Sequence, residues 1–261
     1  VIDDKWASFF KENHFLLGIS LDGPADIHNM NRKLNNDSGS YNKVMSAIGI
    51  LKKHDVDFNI LTVVTSQTAR FTEKIYRFMQ KNGFRYQQYI ACLDPLEQDR
   101  GGEKYSLSPK AYGKFLCKLF DMWYEDMQKN NQPYIRYFEN LIAMAMGMPT
   151  ELCGMNGRCT LQYVIEADGG VYPCDFYVTD EYILGNVNSN TLAEIDECNR
   201  EIGFIEKSLK VSESCKTCEW GPICRGGCRR DRDFAGKTEL QLNYFCESYK
   251  MFFHHTYSRI Y

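Results

Sequence analysis

The stretch SESCKTCEWGPICRGGCRRDRD, residues 212–233, carries four cysteines in the order C-x2-C-x5-C-x3-C. Four thiols packed so closely leave little room for a hydrophobic core. Further out the pattern lengthens to Cys153-x5-Cys159-x14-Cys174, a gap, and Cys215-x2-Cys218-x5-Cys224-x3-Cys228-x17-Cys246. Eight thiolates make two four-thiolate sites, and both zinc and iron–sulfur clusters take such ligands. Spacing does not choose between them. A disulfide framework fits less well, because the chain has eleven cysteines and only two of them precede residue 153.

Upstream of the cysteines the chain reads as strand–helix repetition. Residues 15–21 form an apolar run closed by Asp22-Gly23-Pro24, a strand followed by a turn. Ser40 is placed as an N-cap, with Val44, Ile48 and Leu51 as the apolar stripe of the helix behind it. FNILTVVT, 58–65, has the β-branched content of a strand buried on both faces. A helix over about 72–81 stops at Asn82-Gly83, and a third strand covers about 85–92. Ser108-Pro109 opens a long helix that buries Phe115, Leu119, Phe120, Trp123 and Met127; another helix follows over about 135–146. Alternating β and α units imply a parallel sheet with right-handed crossovers, and three strands make either half a barrel or a small open sheet. Beyond residue 150 the character changes. LQYVIEADGGVYPCDFY, 161–177, alternates around Asp168-Gly169-Gly170 as a hairpin does, and short helices fit about 191–209 and 239–254.

A length of 261 residues suits one large domain or two smaller ones, and a formal net charge of −3 gives no footprint for nucleic acid or an anionic membrane. No apolar run reaches the length of a membrane span. Clustered cysteines suit metal ligation in a reducing compartment, which is the cytoplasm. The chain begins VIDDKWASFFKENHF, without Met, and Trp6, Phe9 and Phe10 sit at helical spacing; it reads as a fragment that starts inside a helix.

The cysteine order resembles the SPASM domain of radical S-adenosylmethionine enzymes, whose signature runs C-x9–15-G-x4-C, gap, C-x2-C-x5-C-x3-C, gap, C. Here Cys159 is followed by nine residues, Gly169, four residues and Cys174, and then by Cys215, Cys218, Cys224, Cys228 and Cys246. Within that group the chain is similar to the anaerobic sulfatase-maturating enzymes, through ISLDGP (19–24), NRK (31–33), FNILTVVTS (58–66), CLDPL (92–96), CGMNGRC (153–159) and VYPCDFY (171–177). The resemblance implies an α/β chain: the C-terminal half of a partial radical SAM (β/α)6 barrel over 1–150, then a cysteine-rich SPASM iron–sulfur domain over 151–261. It implies two auxiliary [4Fe-4S] clusters, one on Cys153, Cys159, Cys174 and Cys228, the other on Cys215, Cys218, Cys224 and Cys246. The four close cysteines of the opening stretch would then belong to two sites.

In that family a third [4Fe-4S] cluster, held by CxxxCxxC, reduces S-adenosylmethionine. The resulting radical takes hydrogen from a cysteine or serine of a sulfatase bearing C/S-x-P/A-x-R. A base removes a proton, an auxiliary cluster accepts an electron, and hydrolysis leaves Cα-formylglycine; flavodoxin or ferredoxin is the implied electron donor. CxxxCxxC does not occur in this sequence, so the radical step is expected of a full-length parent and not of this piece alone. Asp175, directly after Cys174, matches the catalytic aspartate, and anionic thiolates beside it favour proton uptake. Ser20, Arg32 and Leu93 match positions that contact S-adenosylmethionine. Ser20 lies at a strand's C-terminal end, Arg32 suits the cofactor carboxylate, and Leu93 serves through its backbone or by packing on the adenine. Two other readings are a SPASM maturase of ribosomal peptides and a non-catalytic two-zinc module. Cys92 and Cys117 read as strand and core residues, Cys198 falls outside the spacing, and RRDRD (229–233) reads as a solvated face or a source of donors to a cluster.

Overall fold

β-Branched and aromatic residues build four short strands, which a computed structural model describing residues 2–261 joins into one parallel sheet. Along the chain come α1 (Asp4–Glu12), β1 (Leu17–Ser20), α2 (Ala25–Asn31), α3 (Tyr41–Lys53), β2 (Phe58–Val64), α4 (Thr72–Lys81), β3 (Tyr86–Ala91), α5 (Pro109–Gln128), β4 (Tyr134–Ile135) and α6 (Arg136–Ala145). The sheet order is β1-β2-β3-β4, with Ser20 opposite Leu61 and Val64 opposite Ala91. Parallel neighbours need a crossover, and here each crossover is helical. The C-terminal ends of β1, β2 and β3 therefore share one edge, the side on which α/β sheets bind ligands.

Two elements carry no sequence signal: α2 has seven residues and no side-chain cap, and β4 has two residues. Ser40 precedes α3 but does not cap it. Its hydroxyl donates to the Arg32 carbonyl at 3.0 Å and meets His28 Nε2 at 2.9 Å. Ser108 does cap α5, accepting from the Ala111 N–H at 3.3 Å. Phe115, Leu119, Phe120 and Trp123 are buried as their spacing requires, whereas Met127 is only half-buried.

Two units divide the chain. One takes the residues up to Pro95, Asp99–Met148 and Glu247–Tyr261; the other takes Leu96–Gln98 and Pro149–Cys246. From sequence, everything over 151–261 falls in the second domain. The C-terminal helix Cys246–Ile260 departs from that division, because its aromatic face packs on α5 and α6. Phe252 is fully buried, its ring 5.8 Å from Phe138 and 5.9 Å from Phe120. Gly113 on α5 permits the approach, since a Cβ there would stand 2.8 Å from Met251 Sδ and 3.1 Å from Ser248 Cα. Phe252→Ala is expected to destabilise the protein by roughly 3–5 kcal/mol in urea unfolding; a loss under about 1 kcal/mol would place the helix outside the core.

The second unit has little regular structure. β5 (Val164–Ile165) and β6 (Gly170–Tyr172) form the antiparallel hairpin that the glycine pair predicts. Gly169 adopts φ +87°, and the Gly170 N–H donates to Asp168 Oδ1 at 2.9 Å. β7 (Gly185–Asn186) adds a third strand. The helix expected over 191–209 breaks at Gly203, φ +61°, into α7 (Leu192–Ile202) and α8 (Phe204–Ser208). That expected from 239 begins only at Cys246. Two small apolar clusters serve as core: Val171, Leu184 and Ile195 in one, Cys174, Tyr177 and Phe204 in the other. Among the described residues no helix is long and apolar enough to cross a membrane.

Candidate functional site

Cys153, Cys159, Cys174 and Cys228 line one small cavity of about 40 Å³. Each arrives on a different piece of chain. Cys153 opens a 3-10 turn, Cys153–Met155. Cys159 follows in a loop anchored by its own N–H, which donates to Ser208 Oγ at 2.8 Å. Cys174 lies two residues past β6, and Cys228 leads into the turn Arg229–Asp231. Burial dominates their chemistry: it pushes the Cys174 thiol up to about 12 and raises those of Cys159 and Cys228 as well. Like charges add to this, Cys153 acting on Cys159, and Asp231 ahead of Cys153 and Cys174 on Cys228. A bound cation inverts that balance and takes up the sulfurs as thiolates.

Asp175 borders the same cavity and opens the turn Asp175–Tyr177. Its side chain is exposed, and Oδ1 accepts from the Cys174 thiol at 3.3 Å. The carboxylate thus touches a cavity sulfur while still reaching solvent.

The remaining four thiols of the spacing pattern form a second set. Burial pushes the Cys224 thiol up to about 11; the Gly226 N–H opposes this, and the charges of Cys246, Cys215 and Cys218 add to it. Cys224 ends the short helix Gly221–Cys224, and Arg225, Gly226 and Gly227 follow at φ +51°, +85° and +69°. Among the described residues no three Cys, His, Asp or Glu side chains converge closely enough to share a single metal ion. Cys92 and Cys117 are half-buried, with thiols raised to about 11 chiefly by burial, and Cys198 packs against the Val171 cluster.

Residues 229–232 are not the solvated face that their charge suggests: Arg229, Arg230, Asp231 and Arg232 are all buried. Arg232 donates through Nη1 to the Lys210 carbonyl and through Nη2 to the Ser208 carbonyl at 2.8 Å. Because Ser208 also holds the Cys159 N–H, Arg232 ties the segment after Cys228 to the loop at Cys159. Arg229 stacks on aromatic faces, its guanidinium 4.2 Å from the Phe204 ring, 5.0 Å from Tyr177 and 5.7 Å from Tyr182. A charged run in a loop-rich region gives no periodicity from which this burial is readable.

In the first unit, Ser20 ends β1 and is exposed, while Leu93 stands two residues past β3 and is half-buried. Both lie at the C-terminal edge of the sheet. Arg32 follows α2 and grips Asp22 with two bonds, Nε to Oδ2 at 2.6 Å and Nη2 to Oδ1 at 3.2 Å. Asp22 is buried and also accepts the Val63 N–H at 2.9 Å. Arginine has donors beyond those two, so the pair orients the guanidinium without exhausting it. His28 is buried beneath them, and burial lowers its pKa. Its Nδ1 accepts the Asp22 N–H at 3.2 Å, which leaves Nε2 to donate to Ser40. Asp22 sits within the ISLDGP stretch, yet its role as the partner of Arg32 is visible only in three dimensions, and no spacing marks His28.

The SPASM family, an iron–sulfur cluster-binding domain, matches residues 153–219. A cysteine-type anaerobic sulfatase-maturating enzyme of Clostridium perfringens is 49% identical over 260 residues, covering 100% of this chain and 70% of that protein. The solved structure of native anSMEcpe with bound AdoMet is similar at a TM-score of 0.93 and 49% identity, over 100% of this chain and 71% of that one. A further structure of anSMEcpe, with AdoMet and the Kp18Cys peptide, matches with the same TM-score and identity over 99% of this chain and 72% of that one.

Proposed function

Because the chain belongs to the family of anaerobic sulfatase-maturating enzymes, we propose that its full-length parent oxidises a cysteine or serine of a sulfatase peptide to Cα-formylglycine, with this chain's first unit holding S-adenosylmethionine and its second unit two auxiliary [4Fe-4S] clusters. It is a radical SAM oxidoreductase with an iron–sulfur SPASM domain. The observation that carries the two-cluster assignment is the gathering of four thiols around one cavity, with Asp175 on its wall, while the thiols that act on Cys224 are the other three, Cys246, Cys215 and Cys218. In a [4Fe-4S] cluster each thiolate binds its own iron, so the sulfurs need not converge on a point. Zinc would draw four sulfurs to about 2.3 Å from one ion. The donor set fits the cluster.

S-adenosylmethionine supplies hydrogen-atom abstraction when bound, and the auxiliary clusters supply an electron sink. Cys153, Cys159, Cys174 and Cys228 would hold one auxiliary cluster; Cys215, Cys218, Cys224 and Cys246 would hold the other. Ser20 and Leu93, at the sheet edge, would border the cofactor, and Arg32, held by Asp22, would offer its remaining N–H groups to the cofactor carboxylate. Asp175 takes the substrate proton. The domain assignment is the barrel portion over 1–150 and the SPASM domain over 151–261, with the C-terminal helix packing on the barrel portion. A third cluster on CxxxCxxC belongs to the full-length parent, which takes its electrons from flavodoxin or ferredoxin, acts on C/S-x-P/A-x-R segments and works in the cytoplasm.

The test is anaerobic reconstitution of the full-length protein with iron, sulfide and S-adenosylmethionine, followed by mass spectrometry of a peptide bearing C-x-P-x-R. Aldehyde at the cysteine and about twelve irons, eight of them from the SPASM unit, are expected. Zinc in place of iron, or an unmodified peptide, would overturn the assignment.

A further inference from the structure

Arg229 borders the same cavity as Cys153, Cys159, Cys174 and Cys228. It is 6% exposed, so its charge is held in a medium of low dielectric. The head group is fixed rather than mobile. Nη1 donates to the Phe204 carbonyl at 2.8 Å and Nη2 to the Tyr182 hydroxyl at 3.3 Å, while three aromatic faces surround the guanidinium. One donor is left over: Nε–H is buried and has no partner among the described residues. An orphaned buried donor costs about 1–3 kcal/mol, and a native structure seldom carries one without a group to complete it. Arg232 adds charge near the same sulfurs but has no spare donor of this kind, because its Nη1, Nη2 and Nε are directed at the carbonyls of Lys210, Ser208 and Cys228. The charge of Arg229 also acts on the Cys159 sulfur, whereas the charges most felt by Cys224 come from other thiols.

We propose that Arg229 is a positioning residue that sets the reduction potential of the cluster held by Cys153, Cys159, Cys174 and Cys228, through its fixed charge and its spare Nε–H. This rests on the two-cluster reading above. Reduction of a [4Fe-4S] cluster adds one electron, and so one negative charge, to a centre already surrounded by four thiolates. A buried cation beside it stabilises the reduced state more than the oxidised one, and an N–H donated to sulfur acts in the same direction. Arg229 therefore holds the potential of this site up, which makes it the better electron acceptor of the two.

The experiment is a potentiometric titration with dithionite, followed by electron paramagnetic resonance, on the anaerobically reconstituted full-length protein. Wild type is compared with Arg229→Gln and Arg229→Lys, with iron and sulfide counted in each. Arg229→Gln is expected to make reduction of one auxiliary cluster at least tenfold less favourable, about 59 mV more negative for a one-electron couple, and to leave the other unmoved. Arg229→Lys keeps the charge and should recover at least half of that shift. An unmoved midpoint in Arg229→Gln, or equal shifts in Gln and Lys, overturns the proposal. Should Arg229→Gln lose iron, 15N-arginine labelling of wild type and Arg229→Lys decides: a guanidinium 15N coupling to the reduced signal that is present in wild type and absent in Arg229→Lys supports the role, and its absence from wild type or persistence in Arg229→Lys refutes it. Failure of the wild type to assemble any auxiliary cluster would instead sink the cofactor reading itself.

Discussion

Asp175→Asn in the full-length protein is expected to lower formylglycine formation by roughly 10²–10⁴-fold, the range lost when a positioned base is removed. The amide has nearly the same size and leaves the turn Asp175–Tyr177 intact, but it cannot take up a proton. Asp175 now accepts from the Cys174 thiol at 3.3 Å. Ligation removes that thiol proton, so the carboxylate is released just when the site is assembled. The sulfur does not depend on it, because a bound cluster would take it up as a thiolate in either variant. Iron content should therefore match wild type. Cleavage of S-adenosylmethionine should persist while aldehyde formation stops, since abstraction of hydrogen precedes loss of the proton. Turnover unaffected by the substitution would remove Asp175 from the chemistry, and loss of iron would make it a structural residue.

The parallel sheet of the first unit was readable because its strands and helices bury regular faces. Phe58–Val64 alternates buried and half-buried residues, and Thr72–Lys81 has the bounds that its apolar spacing and Asn82-Gly83 predict. β4 was not readable, since two residues have no period. The last helix was legible as a helix but not as part of the first unit, because its partners on α5 and α6 are more than 100 residues away in sequence. In the second unit legibility passes from periodicity to cysteine spacing. Spacing marks which sulfurs are special but says nothing of how they are distributed in space, and it is silent on the buried arginines. Their burial follows from carbonyls and aromatic rings contributed by residues 177–210, which no local pattern around 229–232 announces.

Cys224→Ala and Cys228→Ala, four positions apart, are expected to delete different clusters. In a continuous helix residues at that spacing share a face, and both sulfurs would serve one site. The helix ends at Cys224, however, and three successive left-handed residues, Arg225, Gly226 and Gly227, turn the chain before Cys228. Glycine tolerates that conformation, and at Gly226 a Cβ would meet Val211 Cγ1 at 2.9 Å, so the turn is built into the sequence. As a result Cys228 borders the cavity of Cys153, Cys159 and Cys174, whereas Cys224 is acted on by Cys246, Cys215 and Cys218. In the full-length protein each variant should lose roughly four of about twelve irons, and the lost spectroscopic signal should differ between them. Formylglycine formation should fall in both, and Cys228→Ala should in addition loosen the 153–174 segment from the chain around 229–232, because a cluster bridging the two acts as a crosslink. Hydrogen exchange at β5 and β6 would report that loosening. If both variants lose the same signal, the close cysteines form a single local site, and the left-handed turn between them has no role in separating two.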